Sequence, residues 1–218
     1  MLVSPVSTSI EVRLGEGRER KEALGKMLAT LLRRGQFIFI DVGTTNLAFA
    51  RHIPDGLDIT VATHDPAIAS CLARRPDIEL LTVGGKVNPK VGAALDGGPM
   101  REIAKMSPDL FVLGACAIDA ENGIGAFDFD DALMKSALIQ AASSTVLAVQ
   151  NEKLGTVARH KVAAINVIAD IVVEANASPS FAETLSSKGI RVHYAIQAQS
   201  EMAITHDPTF SGACRDIN

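Results

Sequence analysis

Short apolar runs alternate with amphipathic stretches along most of this chain. The runs lie at residues 37–40, 59–62, 78–83, 110–113, 145–149, 167–173 and 190–194. Helical spacing of apolar residues occurs between most of them, at 45–51, 66–73, 97–105, 130–142 and 178–189. Because short apolar runs are typical of strands buried on both faces, the alternation predicts an α/β fold: a largely parallel sheet flanked by helices.

The two ends of the chain differ from this central pattern. Residues 1–15 predict a loose lead-in, and residues 16–34 predict a helix whose apolar stripe includes Leu24 and Leu28. Gly35 suits the end of that helix. We therefore expect one domain over residues 16–195, with residues 16–34 as a linking helix, and a loosely docked tail over 196–218.

Composition narrows the class of protein. The chain has 218 residues, of which 47% are hydrophobic and 21% charged, so it is long enough for a core of its own. A net charge of −4, no Trp and one Tyr argue against a nucleic-acid surface. Three scattered cysteines indicate a reducing, cytoplasmic setting. Neither CxxC nor HExxH occurs and no apolar run could span a membrane, so neither a metal site nor a membrane is predicted.

Ligands of open α/β sheets bind at the carboxyl ends of the strands. The first such end reads Asp41-Val42-Gly43-Thr44-Thr45. Gly43 permits a tight turn, and the two threonines start a helix, where free N–H groups and hydroxyls favour an anion. Asp41 could accept hydrogen bonds from ligand hydroxyls. A capped helix start without any ligand explains the same residues equally well.

Later strand ends offer further polar groups. Thr63 and His64 follow the second run and could hydrogen-bond to a ligand, although a cap and a structural histidine are the simpler interpretation. Gly84, Gly85 and Lys86 form either a close approach to a ligand or a hairpin turn. Lys153 follows the strand at 145–149 and can reach the crevice of the first site.

Two further segments carry charged groups. Asp131 and Lys135 stand at i and i+4 on one predicted helix, which is typical of a surface ion pair. The glycines at 123 and 125 resemble half of a dinucleotide fingerprint but lack its third glycine and its strand–helix context. We therefore expect no cofactor.

The order of these motifs resembles the C-terminal effector-binding domain of DeoR-family transcriptional regulators. The resemblance covers most of the chain, and its stretches are IDVGTTNLAFARHI, ITVATHDPAIAS, ELLTVGGKVNP, PDLFVLGACAIDAENGIG, DDALMKSALIQAASSTVLAVQNEKLG and ADIVVEA. It implies a fold similar to ribose-5-phosphate isomerase and a sensor that binds a phosphorylated sugar to modulate DNA binding. The residues that match its motifs are Asp41, Gly43, Thr44, Thr45, Thr63, Gly84, Gly85, Asp119, Lys135 and Lys153.

The resemblance also implies roles for these residues. Gly43, Thr44 and Thr45 would hold the phosphate and Lys153 would neutralise it, with help from Lys86. Asp41, Asp119 and Lys135 would contact the rest of the sugar. His64 and Cys116 depart from the family, which usually has Asn at the first position and Asp or Asn at the second.

An enzyme is the alternative interpretation. Sugar-phosphate isomerases of this fold need carboxylates to move a proton, and their motif would align with residues 113–117, which hold apolar side chains and a thiol. We therefore expect no catalytic residue and a binding module, with a sugar-phosphate isomerase or deaminase as the alternative. A CoA-transferase-like enzyme would have Glu152 as its only rough candidate.

The family resemblance bears on partners as well. Its members carry an N-terminal helix-turn-helix, and only one helix is predicted before residue 37. We expect operator DNA to be contacted only through such a domain, which this chain lacks. The family further implies a homo-oligomer.

Overall fold

The computed structural model describes residues 2–4 and 10–196, which form seven α-helices and fourteen strands. The helices are α1 (Ile10–Gly15), α2 (Arg18–Ala29), α3 (Thr44–Arg51), α4 (Pro66–Leu72), α5 (Gly97–Ile103), α6 (Phe129–Ala141) and α7 (Pro179–Ser187). The strands are β1 (Leu2–Val3), β2 (Phe37–Ile40), β3 (Ile59–Thr63), β4 (Ile78–Thr82), β5 (Val87–Asn88), β6 (Ala93–Ala94), β7 (Leu110–Leu113), β8 (Ala117–Asp119), β9 (Gly123–Ala126), β10 (Thr145–Val149), β11 (Thr156–Val157), β12 (His160–Ala163), β13 (Ile168–Glu174) and β14 (Arg191–Ala195). Short 3-10 turns occupy Asn151–Lys153 and Ile165–Val167.

The centre of the molecule is a seven-stranded sheet in the order β14-β13-β10-β7-β2-β3-β4. Every pairing in it is parallel. All seven strands coincide with the apolar runs, within one residue at each end. The predicted fold class, a largely parallel sheet flanked by helices, is confirmed.

Helices cover both faces of this sheet. Successive side chains of a strand point to opposite faces, so Phe39 and Phe111 pack toward α5, α6 and α7. Ile38 and Val112 pack toward α2, α3 and α4 on the other side. Helices α2 and α3 approach closely at Gly25, where a Cβ would lie 2.5 Å from the Phe49 nitrogen. The result is a three-layer α/β/α arrangement.

The N-terminal part differs from the sequence prediction. Residues 10–15 of the expected lead-in form helix α1, and Leu2–Val3 pairs in parallel with β11. The helix expected over 16–34 spans only Arg18–Ala29, and Gly35 adopts a φ of +74° in a turn beyond it. Physically, Gly17 with a φ of +59° separates α1 from α2. The predicted C-terminal tail, apart from its first residue, lies outside the described residues.

Two small antiparallel sheets were not predicted. Strands β12, β9 and β8 form one, and β5 and β6 form the other. Their segments are short and rich in Ala and Gly, so they carry no β-branched run that would mark them. An isolated parallel bridge between Ile118 and Leu154 ties the three-stranded sheet to the loop after β10.

Candidate functional site

A cavity of about 470 Å³ lies at the carboxyl ends of β2, β7 and β10. Because these three strands are neighbours in the sheet, the loops that follow them meet at one place. Side chains from α1, from α6, and from the loops before β6 and β12 complete the wall. Its polar and charged lining residues are Arg13, Thr44, Thr45, Asn46, Lys90, Cys116, Asp128, Asp131, Lys135, Lys153 and Arg159.

The start of α3 supplies donors to this cavity. Gly43 is its N-cap, and the first backbone bond back to it comes from Leu47 at 2.8 Å. The N–H groups of Thr44 and Thr45, in the first turn, therefore have no partner within the helix. The Thr45 hydroxyl is buried and has no hydrogen-bond partner among the described residues. Asn46 fixes this turn by donating to the carbonyls of Asp41 at 2.9 Å and Val112 at 3.2 Å.

Gly43 is the N-cap of α3 and lines the cavity together with Thr44 and Thr45. The neighbouring Asp65 carboxylate accepts from the N–H of Ala67 at 2.8 Å as the cap of α4. Burial raises the pKa of Asp65, and the nearby N–H groups, including that of Gly43, oppose this rise. The role of Gly43 in holding a phosphate stays a prediction.

Lys153 brings a buried positive charge to the same cavity. Its ammonium donates to the Ala115 carbonyl at 3.0 Å, and no carboxylate of the described residues lies within ion-pair distance of it. Burial, helped by the nearby charges of Arg13 and Lys21, lowers the pKa of Lys153 to about 8. A buried cation without a counter-ion is costly, so this site favours an anionic ligand.

Behind the cavity wall lies a buried charge network around Asp41. One oxygen of Asp41 lies 2.9 Å from His64 Nε2 and the other lies 3.0 Å from Lys135 Nζ. Backbone N–H groups of Val42 and Gly114 also donate to it, at 2.9 and 2.8 Å. Burial alone would raise the pKa of Asp41, but Lys135 and His64 hold it below its ordinary value.

Lys135 is held between two carboxylates in this network. Its ammonium contacts Asp131 as well as Asp41, and both lysine and Asp131 are buried. Burial opposes the charge of Lys135, but the two carboxylates outweigh it and raise its pKa. Burial raises the pKa of Asp131 despite the attraction of Lys135. The expected surface pair of Asp131 and Lys135 is thus corrected to a buried one.

The network changes the roles expected of three residues. Asp41 is fully buried and both its oxygens are occupied, so it does not offer an acceptor to ligand hydroxyls. Thr63 donates its hydroxyl to the Ile40 carbonyl at 2.7 Å, and His64 Nδ1 lies 3.1 Å from the Ala94 carbonyl. Thr63 and His64 are buried outside the cavity lining and support it from behind.

Other expected site residues lie away from the cavity. Gly84, Gly85 and Lys86 are exposed, and Lys86 donates its N–H to Asp96 at 3.3 Å. Asp119 caps a turn by accepting from the N–H groups of Glu121 and Asn122. The expectation that all the matching motifs meet at one ligand site is therefore wrong for these residues. They lie apart from the cavity because β4 is at the edge of the sheet and β8 is outside the central sheet.

Sequence reasoning missed three cationic lining residues. Arg13 lies in a segment expected to be a loose lead-in. Lys90 lies in the turn between β5 and β6, and Arg159 lies between β11 and β12, none of which was predicted as a strand. No local signal marks any of them. Glu152, the rough CoA-transferase candidate, pairs with Arg20 at 3.0 Å.

Comparison with known proteins places the chain in a family. The family model of the DeoR C terminal sensor domain matches residues 16–175. This chain belongs to the DeoR C-terminal sensor domain family. The resemblance read from the sequence motifs is therefore confirmed.

Several relatives of this sensor domain are repressors. The glycerol-3-phosphate regulon repressor of Escherichia coli (strain K12) is 24% identical over 189 residues, which cover 87% of this chain and 75% of the relative. The HTH-type transcriptional repressor GlcR of Bacillus subtilis (strain 168) is 25% identical, covering 83% and 69%. The HTH-type transcriptional regulator GlpR of Haloferax volcanii is 29% identical, covering 80% and 68%.

Among solved structures, ribose 5 phosphate isomerase A from Neisseria gonorrhoeae aligns with this sensor domain. The TM-score is 0.46 at 14% identity, and the alignment covers 64% of this chain and 54% of the isomerase. The aligned part thus spans about half of the isomerase.

Within the described part of the sensor domain, no group of three His, Cys, Asp or Glu residues could hold a metal ion. No described helix is long and apolar enough to cross a membrane. The cavity offers donors at the start of α3, the buried ammonium of Lys153, which has no carboxylate partner among the described residues, and carboxylates that already have partners.

Proposed function

We propose that this chain is the effector sensor of a DeoR-type repressor of sugar metabolism, and that its effector is a phosphorylated sugar or a related metabolite. The observation that carries the proposal is Lys153, a buried ammonium with no carboxylate partner among the described residues, in the same cavity as Thr45, whose buried hydroxyl has no hydrogen-bond partner among them. Relatives named for glycerol 3-phosphate, a phosphorylated polyol, support the choice of ligand class.

In this proposal the phosphate binds at the N-terminus of α3. Its oxygens accept from the N–H groups of Thr44 and Thr45 and from the Thr45 hydroxyl, while Lys153 supplies the balancing charge. The sugar occupies the remaining volume toward Lys135 and Asp128. Thr63, His64 and Asp41 position the loop and touch no ligand.

We propose binding without turnover. The two lining carboxylates are already engaged, since Asp128 caps α6 by accepting from the Asp131 N–H at 3.1 Å and Asp131 holds Lys135. The family resemblance implies that sugar-phosphate isomerases of this fold use a free carboxylate to move a proton between adjacent carbons. The relatives are repressors, and we propose that this sensor acts as a cytoplasmic homo-oligomer whose DNA contacts come from a helix-turn-helix domain.

Titration calorimetry with a panel of sugar phosphates and the corresponding unphosphorylated sugars tests this function. At least one phosphate should bind, its parent sugar should not, and Lys153→Met should weaken binding by about a hundredfold, the value of a buried charged contact of about 3 kcal/mol. Lys161→Met is the matched control, because Lys161 is exposed on β12 and lies outside the cavity.

Two results would contradict the proposal. One is a panel in which every sugar phosphate fails to bind. The other is aldose–ketose interconversion of a bound sugar phosphate that Lys153→Met abolishes and Lys161→Met retains, which would promote the enzyme alternative.

A further inference from the structure

The N-terminal segment, residues 2–4 and 10–15, forms part of the cavity wall through Val3 and Arg13. Strand β1 pairs with β11, and the Ser4 N–H donates to the Val157 carbonyl at 3.1 Å. The Ser4 hydroxyl donates to the Cys116 carbonyl at 2.7 Å. The Ile10 N–H donates to the Lys90 carbonyl at 3.2 Å. This segment therefore contacts loops on both sides of the cavity.

The same segment buries little apolar surface. Helix α1 contains no buried residue, and Leu2 and Val3 are 74% and 67% exposed. Its polar anchor is Lys21, whose ammonium donates to the carbonyls of Arg13 and Glu16. Segments with few buried apolar contacts open at low free-energy cost, so any additional contact changes their stability measurably.

Arg13 is the residue of this segment whose side chain lines the cavity with an unsatisfied donor. Its Nε atom is buried without an acceptor, and no carboxylate of the described residues pairs with its guanidinium. Arg13 and Lys153 line the same cavity, and after burial the positive charge of Arg13 also lowers the pKa of Lys153. An anion between the two would remove the repulsion and satisfy the guanidinium.

We propose that Arg13 is an anion-binding residue of the cavity, and that an anion held between Arg13 and Lys153 stabilises the N-terminal segment against the sensor domain. The inference rests on the proposed function and adds to it a route of regulation. When an anion occupies the cavity, the N-terminal segment becomes more ordered. The guanidinium fork suits a phosphate, to which it can donate two parallel hydrogen bonds.

Amide hydrogen exchange with inorganic phosphate as the probe tests this inference. The amides to follow are those of Ser4 and Ile10, because their acceptors lie on the two sides of the cavity. Phosphate should slow the exchange of both by about tenfold in the wild type and in Arg18→Gln, a control at an exposed arginine outside the cavity. In Arg13→Gln phosphate should leave both rates unchanged and bind about tenfold more weakly, and Arg13→Lys should restore part of the affinity.

The outcomes separate the inference from the proposed function. If phosphate binds and Lys153→Met weakens it, but exchange at Ser4 and Ile10 does not respond, the inference is overturned and the proposed function stands. Equal phosphate affinity of Arg13→Gln and Arg18→Gln also overturns the inference. If the wild type binds neither phosphate nor any sugar phosphate, the proposed function fails first and the inference fails with it.

Discussion

Two threonine hydroxyls at neighbouring strand ends have different partners. The Thr63 hydroxyl donates to the Ile40 carbonyl and accepts from the Asp65 N–H, so it belongs to the fold. The Thr45 hydroxyl is buried but has no hydrogen-bond partner among the described residues, so we expect it to form a hydrogen bond only with a bound ligand. At the level of single residues, structural and binding roles are thus separated by hydrogen-bond partners, which the sequence does not display.

Replacing each threonine by valine should separate these roles. Thr45→Val should leave the free energy of unfolding within about 0.5 kcal/mol of the wild type or raise it, while weakening sugar-phosphate binding by about tenfold, the value of one hydrogen bond to a charged group. Thr63→Val should lower the free energy of unfolding by about 1 kcal/mol or more, because it removes the hydrogen bonds of the hydroxyl to the Ile40 carbonyl and from the Asp65 N–H, and should keep the affinity.

Urea unfolding followed by circular dichroism and calorimetry on the same samples measure both quantities. The chain has no Trp, so dichroism replaces intrinsic fluorescence. A Thr45→Val protein that is destabilised by more than 1 kcal/mol and binds normally would show that the hydroxyl serves the fold instead.

At the level of elements, Gly114 sets how closely β7 approaches the loop after β2. A Cβ at this position would lie 2.2 Å from the Val42 carbonyl oxygen, a backbone atom that cannot move aside alone. The Gly114 N–H also donates to Asp41 at 2.8 Å. The glycine therefore joins the floor of the cavity to the buried charge network.

Gly114→Ala should cost about 3 kcal/mol of unfolding free energy, at the upper end of what overpacking usually costs, because two strand ends must separate. Gly84→Ala is its control: no atom lies within 4 Å of the added Cβ, so the change should stay within about 0.5 kcal/mol. Urea midpoints of the two variants give the comparison. Equal midpoints would mean that the loop after β2 adjusts freely and does not fix the cavity floor.

The strands most predictable from sequence lie in the middle of the sheet. Strands β2, β7 and β10 are apolar runs because helices cover the sheet above and below, whereas the edge strands β4 and β14 also contain charged residues. The strands of the two small sheets contain only two to four residues, so periodicity has too few positions to appear. Tertiary pairing, not local pattern, makes them strands.

The candidate site was predictable in part for the same reason. The strand-end rule brought Thr44, Thr45 and Lys153 together because β2, β7 and β10 are adjacent in the sheet. It failed for Lys86 because neighbouring strands are spaced by about 4.8 Å and β4 lies two strands from β2, at the edge. Strand order is a property of the whole fold, so it cannot be read from one motif at a time.

At the scale of the whole molecule, net charge and local charge differ in sign. The chain carries a net charge of −4, yet the cavity lining includes five cationic side chains and two carboxylates. Of the cations, Lys135 is neutralised by its two carboxylate partners, whereas the buried Lys153 has no carboxylate partner in the described part of the chain. The net negative charge of the chain is therefore compatible with an anion site in the cavity. Because the ammonium of Lys153 is buried there, binding at that site should depend on pH.

Anion binding should be coupled to protonation of Lys153. Burial lowers the pKa of Lys153 to about 8, and an anion bound beside the ammonium would raise it. Below about pH 7 the lysine is charged in both states and this group contributes no pH dependence; above pH 8 binding must take up a proton, so affinity should fall, approaching tenfold per pH unit. A phosphate ester loses its second proton near pH 6, so the ligand's charge is nearly constant between pH 7 and 9.

Calorimetry between pH 7 and 9, in two buffers of different ionisation enthalpy, measures both the loss of affinity and the proton uptake. Lys153→Met should bind weakly with little pH dependence, and the same steep fall of affinity in that variant would assign the linkage to another group.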